Sequence, residues 1–179
     1  MINLGTIWLE TERLILKKFE IEKSTEIFEV YRNQPEFLYY TNKSKLSLEE
    51  TQNEVYEIVK KYEQLDYYNW VITLKNSDKI IGAINLKYNE KFEGMIFSYA
   101  IDNRFTKNGY MTEALNSIKD FCFNKLDASQ IIGGCVESNL ASKRVMEKCG
   151  LKYKFSIDNF IYLSDGYHNS DFYFLEKNN

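Results

Sequence analysis

Histidine is almost missing from this chain: His168 is the only one among 179 residues. A single imidazole excludes a His-rich zinc centre, and it leaves any Ser-His-Asp triad resting on one residue in a polar turn. Cysteine is scarce too. Cys122, Cys135 and Cys149 are odd in number, widely spaced and set among apolar residues, so they read as small buried hydrophobes, not as a disulfide framework or a metal knuckle. No metal is expected. No run approaches the ~20 apolar residues of a membrane span, and Met1 to Glu12 lacks the apolar stretch and small-residue cleavage site of a secretory signal. No membrane partner and a cytoplasmic location are therefore expected. Neither G-x-x-x-x-G-K-[ST] nor G-x-G-x-x-G occurs, which removes the common nucleotide loops. A basic stripe with interleaved aromatics is also lacking, so nucleic acid is not an expected partner.

What is present is the composition of a globular protein, 44% hydrophobic and 27% charged. No repeat, low-complexity tract or linker interrupts it, and one domain over 1–179 is expected. The net charge of −3 is unevenly spread. Glu20 to Asp66 carries eleven acids against six bases, net −5, whereas Asp102 to Lys154 carries six acids against nine bases, net +3. These are either solvated helix faces or the two sides of a site that holds an anion and meets a cation.

The hydrophobic period gives the elements. "RLILKKF", from Arg13, alternates as a strand. "STEIFEVYRN" has helical spacing with Ser24 as its N-cap, and Pro35 discourages continuation. Ser47 and Glu50 form a capping box that opens a helix carrying Val55, Ile58, Val59 and Tyr62 on one stripe. Three β-branched and aromatic runs follow as an antiparallel meander: "YYNWVITLK", "KIIGAINLKY" and "GMIFSYAI". Tyr110 to Leu126 returns to helical spacing, "SQIIGGCVES" is a buried strand, "LASKRVMEKC" is a helix stopped by Gly150, and the tail supplies two or three strands. The order predicts a mixed α/β fold.

Between the third meander strand and the next helix lies "NRFTKNGYMTEAL". A polar loop that enters a helix offers an anion unpaired N–H groups and a positive dipole end, and Gly109 lets the backbone approach closely. An ordinary strand-to-helix connection has the same outline. A second segment, "VESNLASKRVMEKCGLKY", follows a strand with Asn139 and runs into a helix bearing Ser142, Lys143 and Arg144.

Together these segments resemble the GNAT superfamily of N-acetyltransferases, in particular the branch that acetylates ribosomal-protein N-termini and its small-molecule relatives. The resemblance extends over nearly the whole chain, from "LETERLILKKF" through "KIIGAINL" to "DGYHNSDFYFL", with the motif core at about 80–155. It implies a mixed, mostly antiparallel central sheet flanked by helices, with one splayed parallel strand pair. It also implies acetyl-CoA as cosubstrate. The family's pyrophosphate loop falls on Arg104, Lys107 and Gly109, with backbone amides of Asn108, Tyr110, Met111 and Thr112 around the diphosphate. The pantetheine arm is then expected along Tyr99, Ala100 and Ile101, near Asn139, Ser142 and Lys143.

Three departures stand out. Lys107 replaces the first motif glycine, at a cost of about 1–2 kcal/mol if the left-handed backbone is kept. Ile96 replaces the carboxylate often found on the central strand, and Met146 stands where many relatives carry an acidic tyrosine. For catalysis this leaves the Ile101 N–H as oxyanion donor, Ser142 either as thiolate partner or as a helix-stabilising residue, and Glu93, Glu90 or a water relay as proton acceptor. Tyr39, Trp70 and Asp171 are the expected acceptor-side residues, Asp171 being either an amine-orienting or a turn-forming group. The expected activity is acetyl transfer to a primary amine, a protein N-terminus, polyamine or aminoglycoside, by a monomer or homodimer. A catalytically silent module of the same fold, or a site for another phosphorylated ligand, remains the alternative.

Overall fold

The computed structural model describes residues 2–41 and 46–177. Eight strands form one sheet in the order β1-β2-β3-β4-β5-β6-β8-β7. β1 (Leu9–Glu10), β2 (Leu14–Lys17), β3 (Tyr68–Leu74), β4 (Ile80–Asn89) and β5 (Gly94–Ile101) are successively antiparallel. β5 and β6 (Gln130–Val136) are parallel, and β8 (Gly166–Glu176) and β7 (Lys152–Leu163) continue antiparallel beyond them.

Helices cover both faces of the sheet. α4 (Tyr110–Asn124) and α5 (Leu140–Lys148) lie on one, where Met95, Phe97, Tyr99 and Ile101 of β5 pack with Met111, Leu115 and Met146. α1 (Ser24–Ile27) and α3 (Leu48–Lys60) lie on the other, where Ala100 meets a cluster of Ile27, Val30 and Val55. The period-2 alternation of β5 thus feeds two separate cores.

The α3 capping box forms as the sequence predicts: Ser47 Oγ accepts from the Glu50 N–H, and Glu50 accepts from the Ser47 N–H. Near Ser24 the structure differs. A 3-10 turn at Ile21–Lys23 precedes the helix, so Lys23 is its N-cap and the Ser24 hydroxyl donates to the Ile21 carbonyl at 2.5 Å. A single π turn at Phe28–Arg32 follows α1, and Pro35 begins a further helix, α2 (Pro35–Thr41). Proline suits that first helical position because its missing N–H has no intrahelical partner there. In the tail, "LKYKFSI" and "FIYL" are one strand, β7, irregular between Ile157 and Ile161 around left-handed Asn159.

Candidate active site

β5 pairs with β4 along its whole length, Gly94 to Ile101, but with β6 only at Met95, Ile96 and Phe97, opposite Ile131, Ile132 and Gly133. Beyond Phe97 and Gly133 the two strands part. The Asp102 N–H donates to the Ile81 carbonyl at 2.8 Å, which makes Gly82 and Ile101 a non-hydrogen-bonded pair. The Ile101 N–H and C=O therefore point away from β4 into the gap, and by the two-residue period so do those of Tyr99. This fork offers an edge on which an extended amide chain can pair. Its base is closed because Gly133 has no side chain: a Cβ there would stand 2.4 Å from Met146 Sδ and 2.5 Å from Phe97.

Above the fork, the loop enters α4. Gly109, the N-cap, has φ 80° and supplies no side-chain cap, so the first-turn N–H groups are left for another acceptor. Lys107 takes the left-handed backbone as well, φ 64°, so the motif geometry persists without its first glycine. Asn108 holds the turn, its amide nitrogen donating to Thr106 O at 3.1 Å. Arg104 points back to the end of β5, where its Nε donates to Asp102 Oδ2 at 2.9 Å. Burial works to raise the Asp102 carboxyl, but hydrogen bonds from Arg104 and its charge prevail and hold it below the usual range. The Arg104 side chain is 60% exposed.

A clamp from the turn between β1 and β2 fixes this loop. Arg13 Nε donates to Glu113 Oε2 at 2.7 Å, while Thr11 Oγ1 and the Arg13 N–H donate to Glu113 Oε1 at 2.6 and 2.8 Å. Arg13 Nη1 donates to the Asn108 carbonyl at 3.1 Å, and the guanidinium lies 4.6 Å from the Tyr110 ring centre. Met111 is core, 5% exposed, and the Thr112 carbonyl accepts the Cys149 thiol at 3.5 Å.

Opposite this loop, α5 brings its first turn to the fork. Asn139 Oδ1 caps it by accepting the Ser142 N–H at 3.0 Å. Ser142 Oγ lies 2.8 Å from the Tyr99 hydroxyl. Burial pushes the Tyr99 phenol well above its ordinary pKa, with the Ser142 hydrogen bond opposing. Lys143 turns to β8 and pairs with Asp171 at 2.5 Å. That pair flanks Cys135, directly across from Asp171, whose thiol burial pushes up to about 11.

Residues 13–152 match the family model of the Acetyltransferase (GNAT) domain. The chain belongs to the GNAT acetyltransferase family. Among its relatives, the N-acetyltransferase YoaA of Bacillus subtilis (strain 168) is 23% identical over 170 residues, 94% of this chain and 96% of YoaA. The ribosomal-protein-S5-alanine acetyltransferase of Vibrio fischeri superposes with a TM-score of 0.82 at 17% identity, covering 97% of this chain and 98% of that one. The microcin C7 self-immunity acetyltransferase MccE, solved in complex with acetyl-CoA and AMP, gives 0.83 at 13% identity, covering 93% and 94%. The chain is thus an acetyl-CoA-dependent acetyltransferase. The fork's free edge and the uncapped α4 terminus suit the amides and diphosphate of that cosubstrate.

Several expected site residues lie elsewhere. Glu93 sits in the β4–β5 turn, eight residues before Ile101, or roughly 25 Å at ~3.3 Å per residue, so the two cannot serve one reacting atom. Glu90 is in the same turn. Trp70 is fully buried under α4 with its indole N–H donating to Ile7 O at 2.6 Å, and it lines no cleft. Asp171 lies on the α5 face of β8, away from the α1–α3 side. Tyr39 of α2 donates to Asp165 Oδ2 at 3.0 Å beside His168, whose Nε2 is 2.8 Å from Asp165 Oδ1. Sequence reasoning named Tyr99 for the cofactor arm but missed its phenol, which meets Ser142. Its alternation with Phe97 and Ile101 aims it at the α5 face, a signal present in the strand period.

Among the described residues, no group of three His, Cys, Asp or Glu side chains could hold a metal, and no helix is long and apolar enough to cross a membrane.

Proposed function

We propose that this enzyme moves an acetyl group directly from acetyl-CoA to the α-amine of a protein or peptide N-terminus within a ternary complex. The observation that carries this reading is the fork: a free backbone edge at Tyr99 and Ile101 with a hydroxyl pair beside it. An N–H directed into the gap stabilises the oxyanion that forms when the amine attacks the thioester carbon. As the C–S bond breaks, the departing thiolate is hydrogen-bonded by the Tyr99–Ser142 pair, and the proton that the amine nitrogen sheds ends on the thiol sulfur, through solvent or that hydroxyl pair, which is left protonated. The enclosed phenol stays protonated and places a hydrogen-bond donor beside Ser142, a role Met146 cannot fill.

Direct transfer is favoured over an acetyl-cysteine. Burial holds the thiols of Cys135 and Cys149 up to about 11 and Cys122 up to about 12, so almost no thiolate is present near neutrality.

The amine must arrive neutral, and Ile96 offers no carboxylate to deprotonate it. At pH 7 an α-amine of pKa ≈ 7.7–8.0 is about 10% neutral, whereas a lysine-type amine near 10.4 is under ~0.1% neutral. That gap of about two orders of magnitude favours a protein N-terminus over a polyamine. Three acids of the early helices are also engaged within the fold: Glu54 on Arg32, Glu57 on Lys60, and Glu26 on the Ile80 N–H. The ribosomal-protein acetyltransferases among the structural neighbours point the same way.

Thermal unfolding with acetyl-CoA tests the cosubstrate site. At about 100 times its Kd the ligand adds roughly 2.7 kcal/mol, while Gly109→Val, which forces a branched side chain to φ 80°, responds far less. An amine panel then tests the acceptor. Turnover of polyamines or aminoglycosides but of no peptide sinks the N-terminal reading.

A further inference from the structure

The side of the fork facing away from α5 carries a bank of phenylalanines that transfer chemistry does not require. Gly133 faces Met146, so Gly134, the first β6 residue beyond the last pair with β5, faces the opposite side. There it is exposed, and its nearest neighbour is the Phe172 ring, 3.0 Å from where a Cβ would stand. Phe155 stacks on Phe172 with ring centres 5.3 Å apart at 27°, and Phe160 meets it edge-on at 5.3 Å and 90°. Phe172 is 7% exposed, but Phe160 is 55% exposed, so the bank opens to solvent at its rim. On this same side, just below the opening, Ile96 of β5 is half-buried opposite Ile132 and beside Lys87, where a carboxylate would have made the wall anionic.

We infer that this aromatic bank is the pocket for the acceptor's first side chain, and that the enzyme selects N-termini beginning with a large apolar or aromatic residue. The inference rests on the N-terminal reading above. It follows from three features of one place. The bank abuts the fork, so a group seated on it keeps its own α-amine at the gap. Its wall side chains, Ile96, Phe92, Phe155, Phe160 and Phe172, are apolar, so a charged first side chain seated among them is desolvated; the cations nearby, Lys91 against the Phe92 ring and Lys87 beside Ile96, stand at its edge. Edge-on and stacked phenylalanines form a rigid surface with little rotamer entropy to lose when an apolar group docks.

The test uses the full chain with acetyl-CoA and a peptide series identical except for residue one: Phe, Leu, Ser, Asp or Lys. The Phe- and Leu-led peptides are expected to exceed the Ser-led one in kcat/KM by about tenfold or more, the usual scale for filling an apolar pocket. Asp- and Lys-led peptides fall below it. Phe160→Ser, at the exposed rim where loss of folding is not expected, should shrink the Phe-over-Ser ratio to below about threefold. Stabilisation by acetyl-CoA should stay as in the wild type, which separates this effect from a damaged fold or cofactor site. Equal use of all five peptides overturns the inference and leaves the N-terminal reading standing. So does a preference that survives in Phe160→Ser, or a wild-type dimer that the substitution converts to monomer without changing the ratio, since the bank is then a contact between copies. Turnover of a polyamine but of none of the peptides overturns both.

Discussion

Tyr99 has the chemistry of an acid that stays protonated. Its phenol is enclosed beside Ser142, and burial raises its pKa well above the usual phenol value. A raised pKa keeps the donor form present throughout the pH range in which the acceptor amine loses its proton. The rate should therefore rise with pH as the amine titrates and then level off, without a fall between pH 8 and 10, in a kcat/KM profile. Tyr99→Phe should lower kcat by about 10²-fold with the KM for acetyl-CoA nearly unchanged, as expected when a proton donor is removed and the binding edge kept. Cys135 makes the complementary case. Its thiol, held up to about 11, is a poor nucleophile, so Cys135→Ser should retain kcat within about threefold. A loss of several orders of magnitude, with a trapped acetyl-protein in the wild type by mass spectrometry, would establish a covalent route instead.

At the scale of elements, the link between the β1–β2 turn and α4 gives the loop before α4 its rigidity. Glu113 accepts three hydrogen bonds, from Thr11, the Arg13 backbone and the Arg13 side chain. Desolvation works to raise its carboxyl, but those bonds and the Arg13 charge outweigh it and hold the pKa below the ordinary value. A depressed folded-state pKa contributes stability above the unfolded value near 4.3, and that contribution is lost as pH falls through the folded value. Between pH 6 and pH 3 the melting temperature of the wild type should thus fall further than that of Glu113→Gln. At pH 7 the substitution should cost about 1–2 kcal/mol, since only the ionised acceptor makes charge-assisted bonds. The KM for acetyl-CoA should rise more than kcat falls, because the clamp steadies the loop without touching the reacting atoms.

The sequence exposes the parts of this clamp but not its closure. "ETERL" and "GYMTEAL" are each readable as an element boundary, while the meeting of Arg13 with Glu113 across 100 residues is tertiary. The meander, α3, α4 and α5 were legible because their period is strict, whereas the splayed pair was implied only by the family resemblance. α2 was not, since Pro35 reads equally as a stop and as a first helical residue. The two tail runs merge into β7 because Asn159 breaks the alternation while the strand continues on either side. Trp70 was misplaced for a related reason: aromatic content marks a surface as large and apolar, and only packing under α4 decides that it is core.

For the whole molecule, the fork ties fold to function through hydrogen-bond parity. One sheet runs unbroken from β1 to β7 except where β5 and β6 part above Phe97 and Gly133. Along that stretch of β5 the backbone alternates. The N–H groups of Ser98 and Ala100 face β4, by the same parity that sends the Asp102 N–H to Ile81, and those of Tyr99 and Ile101 face the gap. Amide exchange should record this alternation residue by residue. In the free enzyme, Ser98 and Ala100 should exchange slowly and Tyr99 and Ile101 quickly, although all four lie in one strand. Acetyl-CoA should slow Tyr99 and Ile101 by at least about tenfold and barely alter the other two, because an extended amide chain in the gap pairs only with the edge that faces it. Uniform slowing of all four would mean that binding merely stiffens the sheet. No change at Tyr99 and Ile101, in a protein that acetyl-CoA still stabilises thermally, would place the cosubstrate outside the fork.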